Sequence, residues 1–472
     1  MSLPILAALS PNGLLLLALG AIIGLVVLIA RFKCNAFVAL LIASLFVGVG
    51  SGMPLTTTAA HPDPVTGKIV VEQLGVVAAF EAGVGKTLGF LGMIIGLGTV
   101  LGKLLAESGA AEVIASTMVR WLGRGRLDYA VMLVAFLVGI SVFFGVGLFL
   151  LGPIAFTLAR ETRTPILRLA LPLAAGLSTA HGLIPPHPGP MAAINILNAN
   201  TGMTILWSMI VGLPVALLTG PFLARWVAPR VPVEIGGLGA QASGTGSAPR
   251  KPTFAVSLFT MLLPVILMLL ATLADVTLSK EQRLRDWADF FGAPTTAMLV
   301  AVLVALWTFG RAVGLRADRI LKFTEECVAP AASIFLVVGA GGGFSAVLNA
   351  SGVGKAIADV AAHAPISPLL LGWLIAGLLR IAVGSATVAV TMAAGLMAPL
   401  VAKMPGVNRE LLVLSMGAGS LILSHVNDAG FWFVKEYLGM TVAETLKTWT
   451  VVETGIAVSS IVLILVASAV IS

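Results

Sequence analysis

Apolar segments long enough to cross a lipid bilayer follow one another along most of the chain. A transmembrane helix needs about 20 consecutive apolar residues. Twelve segments approach or exceed that length; they cover residues 13–30, 36–53, 84–105, 127–159, 166–199, 203–226, 254–274, 294–310, 328–350, 368–401, 411–437 and 449–471. Runs this continuous are not typical of membrane barrel strands. The pattern therefore predicts an all-α polytopic membrane protein.

The composition supports this prediction and excludes a soluble enzyme. Of the 472 residues, 58% are hydrophobic and 10% are charged, with a mean hydropathy of +1.05, whereas soluble domains carry about 25% charged residues. The net charge of +7 comes mainly from Lys and Arg in short loops between apolar segments. Such loops favour an orientation signal over nucleic-acid binding. We therefore expect the lipid bilayer, and no nucleic acid, as a partner.

The two halves of the chain resemble each other. Residues 96–115 and 339–358 are identical at seven of twenty positions, including the pairs Ser108-Gly109 and Ser351-Gly352. The same offset places the other apolar segments opposite one another, and internal duplication is a common plan of secondary transporters. The sequence predicts three parts, namely a first repeat at residues 1–227, a flexible cytoplasmic linker at 228–253 and a second repeat at 254–472.

Two segments are too long for one crossing and have small residues in the middle. We predict re-entrant hairpins at 127–160 and 367–401, the first with Phe144, Gly145 and Gly147 at its tip. Each repeat then has five crossings plus one hairpin, and because five is odd, the second repeat is inverted relative to the first. With both termini periplasmic, 18 Lys and Arg fall in inner loops and 7 in outer loops, as expected for an inner-membrane protein. The inner loops are residues 31–35, 107–126, 160–168, 225–252, 311–327 and 435–447.

Two further segments carry residues that interrupt a helix near mid-membrane. The sequence HGLIPPHPGP occupies residues 181–190, where proline removes backbone donors and clashes with the preceding turn. The sequence LSHVNDAGFW occupies residues 423–432. Broken helices are tolerated in the membrane where they are buried in protein or line a cavity. We predict that the two breaks and the two hairpin tips converge on one substrate site.

Arg380 is the strongest candidate for binding an acidic substrate. It lies inside a strongly apolar segment, where a charge is costly and indicates function by default. Its planar guanidinium can hold a carboxylate with two parallel hydrogen bonds. The alternative is structural, because Arg380 could instead pair with Asp428 or donate to carbonyl groups of the hairpin.

Polar residues around the breaks complete the predicted site. Asp428 and His425 are the predicted proton-coupling pair, since ionisable groups in a membrane core often belong to proton pathways; the alternative for Asp428 is a helix cap. The further predicted substrate-binding residues are small, hydroxyl, imidazole or amide residues, for which hydrogen bonds between helices or to free carbonyls are the alternative. They are Gly384, Ser385, Thr387, His181, His187, Ser424 and Asn427.

The sequence predicts no cofactor, no metal and no enzyme. GKT at residues 85–87 resembles the end of a phosphate-binding loop, but the opening glycine and the preceding strand are missing. The histidines lack a zinc-binding spacing. A hydrolytic triad of Ser385, His425 and Asp428 would need a base in reach of the serine, and no nucleophile-elbow motif is present. A passive channel is also disfavoured, and saturable uptake against a gradient would exclude it.

At these residues the chain resembles the gluconate permease family, proton-linked carriers of sugar acids within the ion-transporter superfamily. The matching motifs span nearly the whole chain. They are LIARFKCNAFVALL, LGKLLAESGAAEVIA, HGLIPPHPGP, RIAVGSATVAVT and SHVNDAGFWFVKEYLGMTVAETLKTWTVVET. The resemblance implies uptake of gluconate or a related sugar acid with protons by alternating access. It also implies a homodimer in a bacterial inner membrane, with scaffold and transport regions.

One position departs from the family pattern. The first hairpin of the family usually has an acidic residue where this chain has Gly145. If that acid takes part in proton coupling, Asp428 or a histidine would take its place here. A sodium-coupled carrier, or a carrier of glycerate or D-serine with the same fold, is the alternative.

Overall fold

The computed structural model describes residues 10–57, 61–62, 69–70, 74–233, 248–279, 282–326, 328–354, 356, 366–404, 406–425 and 428–471. The α-helices of the first half are α1 (Pro11–Ala30), α2 (Ala36–Gly50), α3 (Val76–Glu107), α4 (Ala110–Leu122), α5 (Leu127–Gly139), α6 (Phe144–Thr162), α7 (Leu167–Leu183), α8 (Pro188–Leu197), α9 (Thr201–Leu217) and α10 (Leu223–Val227). Those of the second half are α11 (Phe254–Thr277), α12 (Arg283–Gly292), α13 (Pro294–Ala305), α14 (Ala317–Glu326), α15 (Val328–Ala350), α16 (Pro368–Val383), α17 (Ala386–Lys403), α18 (Arg409–Gly419), α19 (Ala429–Leu438) and α20 (Val442–Ile471).

Short elements complete the secondary structure. Turns of 3₁₀-helix lie at Arg124–Arg126 and Ala228–Arg230, and π-helical segments at Leu218–Phe222 and Leu306–Arg311. Strands β1 (His61–Pro62) and β2 (Ile69–Val70) form an antiparallel pair in which His61 is opposite Val70.

The helices confirm the prediction of an all-α polytopic membrane protein. Within the described ranges, nine helical segments are long and apolar enough to cross a bilayer. The segment Leu167–Leu197 is almost wholly buried, whereas Pro11–Ile29 and Val442–Ile471 expose most of their apolar surface. Apolar side chains on an outer helix match the hydrocarbon interior of a membrane. The exposed faces of these outer helices are therefore suited to contact with lipid.

Four pairs of helices are separated by short breaks at the core of the protein. Helices α5 and α6 are separated at residues 140–143, and α16 and α17 at Gly384 and Ser385; these are the segments of the predicted hairpins. Helices α7 and α8 are separated at residues 184–187, and α18 and α19 at residues 420–428. In the membrane, α5 and α16 are too short to cross on their own. The re-entrant course of the hairpins stays a prediction.

The two Ser-Gly pairs noted in the sequence have the same local geometry. The Ser108 hydroxyl donates to the Leu105 carbonyl over 3.1 Å, and Gly109 has a φ of +74°. The Ser351 hydroxyl donates to the Leu348 carbonyl over 3.1 Å, and Gly352 has a φ of +77°. Both glycines occupy the left-handed region, which glycine enters without steric cost. The similarity supports an internal duplication, and the inverted relation of the repeats stays a prediction.

Some loops predicted from the sequence contain amphipathic helices. Helix α4 lies within residues 107–126, where we expected a loop; it buries Ile114 and Met118 and exposes Arg120. Helices α12 and α14 are likewise short, with charged residues along one face. A search for long apolar runs misses such helices, because half of their surface is polar.

Candidate functional site

The first broken helix brings two histidines into contact. Helix α7 ends at Leu183 and α8 begins at Pro188, because the prolines between them cannot continue the α-helical hydrogen bonds. His181 Nδ1 lies 3.3 Å from His187 Nδ1, and His187 Nε2 hydrogen-bonds the carbonyl of Gly139 at the end of α5. If neutral His187 donates from Nε2, its Nδ1 must accept from His181. The first break and the first hairpin are thus joined through His187.

The second broken helix is organised by Asp428. This residue caps the N-terminus of α19, where its Oδ1 accepts from the Gly430 N–H over 2.8 Å. Its Oδ2 accepts from the Ser424 hydroxyl and from the guanidinium of Arg380. A cap of this kind satisfies a backbone donor that the helix leaves free. Asp428 is therefore both a helix cap and the counter-charge of Arg380.

Arg380 joins the second hairpin to the second break. Its side chain is 4% exposed, and its two terminal nitrogens donate to the Gly384 carbonyl and to Asp428. Both arrangements that we held open for this arginine, the ion pair and the hairpin carbonyl, are therefore present together. Its Nε has no hydrogen-bond partner among the described residues. A buried donor without a partner is costly, and Arg380 therefore keeps at least one N–H that these bonds do not use.

Three residues near this ion pair were predicted from the sequence to take part in proton coupling or substrate binding. His425 Nε2 lies 3.0 Å from the Ile381 carbonyl, one residue beyond Arg380. The Ser385 hydroxyl caps α17 by accepting from the Val388 N–H over 3.5 Å. Asn427 lies outside the described residues. Because Ser385, His425 and Asp428 are each bonded elsewhere, the structure does not assemble the hydrolytic triad.

The breaks and hairpin tips of the two halves meet across the protein. In the second hairpin, the Cα atom of Thr387 lies 3.6 Å from the position that a Cβ would take at Gly189, which follows the first break. In the first hairpin, the Phe144 ring lies 5.1 Å from the Trp449 ring. Trp449 Nε1 donates over 2.8 Å to Ser424 of the second break. The first break thus contacts the second hairpin directly, and the second break is linked to the first hairpin through Trp449.

Two residues of the site were missed by the sequence analysis. Trp449 holds the Ser424 hydroxyl, and Glu453, one turn further along α20, is 1% exposed. The signal for Glu453 was present, since an acidic residue within an apolar segment follows the same rule that singled out Arg380. For Trp449 the sequence offered no comparable signal, because tryptophan is common in transmembrane helices.

The first hairpin offers two glycines with opposite tolerance for a side chain. A Cβ at Gly145 would find the Phe433 ring at 3.8 Å, an ordinary contact, so a larger residue fits there. A Cβ at Gly147 would lie 2.5 Å from a methyl group of Leu177, which is fully buried. Phe144, Gly145 and Gly147 all lie in the first turn of α6.

This contrast predicts different stabilities for two alanine variants. Gly145→Ala should change the free energy of unfolding by less than about 1 kcal/mol, whereas Gly147→Ala should destabilise by about 1–3 kcal/mol through overpacking. Thermal unfolding of both variants in detergent, measured side by side, checks the prediction. Equal stabilities would show that the Gly147 contact does not restrict the hairpin.

A small cavity lies against the first break. It has a volume of about 20 Å³ and is lined by groups that include Ser141, Phe143, Pro186 and His187. A space of this size holds about one water molecule. The described residues contain no cluster of His, Cys, Asp and Glu that could hold a metal ion.

Comparison with solved structures supports the fold. The transporter YdaH from Alcanivorax borkumensis superposes with a TM-score of 0.62 at 19% identity, over 96% of this chain and 98% of that one. MtrF from Neisseria gonorrhoeae superposes with a TM-score of 0.61 at 16% identity, over 91% of this chain and 92% of that one. The fold is that of a multi-pass membrane protein with a buried polar centre.

The particular family follows from the sequence comparisons. The family model described as GntP family permease matches residues 13–470, and the chain belongs to this family. The gluconate permease of Pseudomonas aeruginosa is 49% identical over 96% of this chain and 97% of its own length. The high-affinity gluconate transporter of Escherichia coli is 42% identical over 95% and 98%. The protein is therefore a permease and not an enzyme, as the sequence predicted.

Relatives with other substrates are also similar to this chain. An L-idonate transporter of Escherichia coli is 37% identical over 97% of this chain and 99% of its own length. The D-serine transporter of the same organism is 38% identical over 91% and 92%. All of these substrates carry a carboxylate.

Proposed function

We propose that this permease imports gluconate or a related sugar acid together with protons. The observation that carries the proposal is the buried Arg380, which holds a carboxylate and keeps a further N–H, at Nε, without a partner in the described part of the chain. The names of its relatives provide the substrate class. A guanidinium in a water-poor site binds carboxylates through short, charge-assisted hydrogen bonds.

The substrate carboxylate would compete with Asp428 for Arg380. A bidentate carboxylate needs two N–H groups on one edge of the guanidinium, and one terminal nitrogen of Arg380 is already bound to Asp428. A substrate that takes this position leaves Asp428 without its counter-charge in a buried place. A buried carboxylate without a partner is costly, so Asp428 would then bind a proton, with His425 as its titratable neighbour. Substrate and proton thereby bind together.

The hydroxyl groups of the sugar acid would bind at the breaks and at the second hairpin. Their partners would be the two histidines and the small polar residues predicted from the sequence, namely His181, His187, Gly384, Ser385, Thr387, Ser424 and Asn427. Because Arg380, His187 and Ser424 are each at most 4% exposed, loading requires the hairpins and broken helices to separate from their neighbours. Such a movement, alternating between the two sides of the membrane, is the transport step that we propose.

Contacts among helix ends and the linker support the proposed orientation. Arg225 lies 2.7 Å from Asp128, and Arg168 lies 3.9 Å from the same carboxylate. At the end of the linker, the Ala248 N–H donates to the Glu107 carbonyl. The count of basic residues assigned residues 107–126, 160–168 and 225–252 to the inner side, and Asp128 lies two residues beyond the first of these loops. We therefore propose a bacterial inner-membrane protein with periplasmic termini, and a homodimer that light scattering of the purified protein would test.

A sodium-coupled carrier, or one for D-serine or glycerate, is the alternative. The absence of an acidic side chain at Gly145 favours it, and so does the relative named for D-serine. Free carbonyls at broken helices are the usual ligands of a coupling cation.

Uptake into proteoliposomes tests the proposal. An inward proton gradient of one pH unit should concentrate gluconate about tenfold per proton carried, and an inward sodium gradient should not. Asp428→Asn should bind gluconate more tightly, because it removes a competing charge, and should no longer accumulate it.

The matched control is Asp275→Asn. Asp275 pairs with Arg285 at 2.5 Å, outside the site, so its substitution should leave accumulation intact. Accumulation driven by sodium, or proton-driven accumulation that persists in Asp428→Asn, would contradict the proposed coupling. Uptake of D-serine without uptake of gluconate would show that the proposed substrate is wrong.

A further inference from the structure

Glu453 is a carboxyl group that the mechanism above does not use. It lies on α20 four residues after Trp449 and therefore on the same face of the helix. Trp449 faces the second break through its hydrogen bond to Ser424. The Glu453 side chain is 1% exposed, and its Oε1 has no hydrogen-bond partner in the part of the chain that the structure describes.

A few polar and charged groups interact with Glu453. The Ser178 hydroxyl of α7 interacts with the carboxyl, and Arg380 and Asp428 are near enough to interact with it electrostatically. His181 lies on α7 one turn beyond Ser178. Helix α20 also packs on α9, α10, α16, α18, α19 and the segment Leu218–Phe222.

The remaining charged groups on these elements have partners elsewhere. Arg225 and Arg168 face Asp128, Glu410 accepts from the Asn200 N–H, Arg409 donates to the Leu197 carbonyl, and Lys435 faces Glu436. The charge near Glu453 is therefore set by Arg380 and Asp428.

A proton on Glu453 decides the net charge of the group formed by Arg380, Asp428 and Glu453. Arg380 and Asp428 form a neutral pair, so an ionised Glu453 would add one uncompensated negative charge. Burying a lone carboxylate costs far more than burying a neutral acid. A negative charge beside Arg380 would also repel an incoming substrate carboxylate. A proton on Glu453 removes both penalties.

We propose that Glu453 is a proton-binding residue whose protonation is required for a carboxylate substrate to bind at Arg380. The proposal rests on the proposed function and adds a second proton site to it. The proton binds to Glu453 from the side on which the substrate enters, as an O–H bond to the carboxyl. It leaves on the other side, after the substrate has gone and water reaches the site. By linkage, bound substrate raises the affinity of Glu453 for this proton by the same factor as the bound proton raises the affinity of the protein for the substrate.

The number of protons bound with each gluconate tests this inference. It is measured as the slope of the logarithm of gluconate affinity against pH, using gluconate exchange in proteoliposomes with equal pH on both sides. Glu453→Gln is neutral and of similar size, and we expect it to lower this slope by about one proton while gluconate still binds. Glu444→Gln is the matched control, since Glu444 lies in the first turn of the same helix outside the site, and it should keep the slope of the unmodified protein.

Infrared difference spectroscopy provides a second readout. A neutral carboxylic acid has a carbonyl band that a carboxylate lacks. At a pH where gluconate affinity falls with rising pH, adding gluconate should produce such a band, and the band should be missing in Glu453→Gln. If Glu453→Gln does not fold, Glu453→Asp, which withdraws the acid by one methylene, should shift the pH at which gluconate affinity falls.

The outcomes separate the two proposals. If the unmodified protein does not bind gluconate, the proposed substrate is wrong. If it binds gluconate and Glu453→Gln keeps the same slope and the same infrared band, the role of Glu453 is wrong and the proposed function stands. An unshifted pH profile in Glu453→Asp would also overturn the inference.

Discussion

Replacing Arg380 with lysine should lower gluconate affinity by about thirtyfold, which corresponds to roughly 2 kcal/mol. Lysine keeps the positive charge but lacks the planar fork of arginine. It cannot hold the Gly384 carbonyl and a carboxylate in the geometry that Arg380 uses. Arg380→Gln should bind no measurable gluconate, because the guanidinium is gone. It should also destabilise the protein by about 3–5 kcal/mol, because Asp428 stays buried without a counter-charge. Binding is measured by exchange of labelled gluconate.

A second arginine with the same bonding pattern provides the control. Arg285 donates to the Leu278 carbonyl over 3.2 Å and to the Asp275 carboxylate over 2.5 Å, outside the site. Arg285→Lys should therefore reproduce the structural effect of the substitution without the loss of binding. If both lysine variants bind gluconate like the unmodified protein, Arg380 is a structural residue and the carboxylate binds elsewhere.

Gly417→Ala should destabilise the protein by about 1–3 kcal/mol, although alanine is the better helix former. Gly417 is on α18, and a Cβ there would lie 2.5 Å from the Gly182 carbonyl oxygen near the end of α7. The obstacle is a backbone atom, which cannot rotate away. The two broken helices would have to move apart at the point where they bring His181 and Ser424 into the core. Thermal unfolding in detergent measures the loss.

Gly96→Ala is the corresponding control. Gly96 lies in the interior of α3 and a Cβ there would meet nothing within 4 Å. Its replacement should stabilise the helix by about 0.5–1 kcal/mol. A Gly417→Ala variant as stable as Gly96→Ala would mean that the crossing of the broken helices is looser than the structure shows.

The sequence predicted the local features of this protein better than their contacts. The four prolines within residues 185–190 interrupt a helix whatever surrounds them, and the structure has the break there. An arginine in an apolar segment was recognisable by its cost alone. The sequence could not decide whether Arg380 faces a substrate or Asp428. The answer depends on how α16 and α19 pack together, and Arg380 and Asp428 are 48 positions apart in the chain.

Features outside the apolar pattern were missed for related reasons. Helix α4 is amphipathic, so its polar face conceals it in a search for continuous apolar runs. Glu453 was passed over because its segment was classified by its average hydropathy, which one acid hardly changes. Its importance comes from being 1% exposed, and burial depends on the packing of α20 against α7 and α18.

The contact between Phe144 and Trp449 has a consequence for biosynthesis. The aromatic rings lie 5.1 Å apart, yet they are separated by most of the chain, and the ribosome delivers the first long before the second. Until α20 emerges, Ser424 lacks its indole donor and the first hairpin lacks this neighbour. The polar centre therefore stays partly unassembled in the membrane until α20 has been synthesised. A slow ribosome or a stalled insertion step would expose it to degradation during that interval.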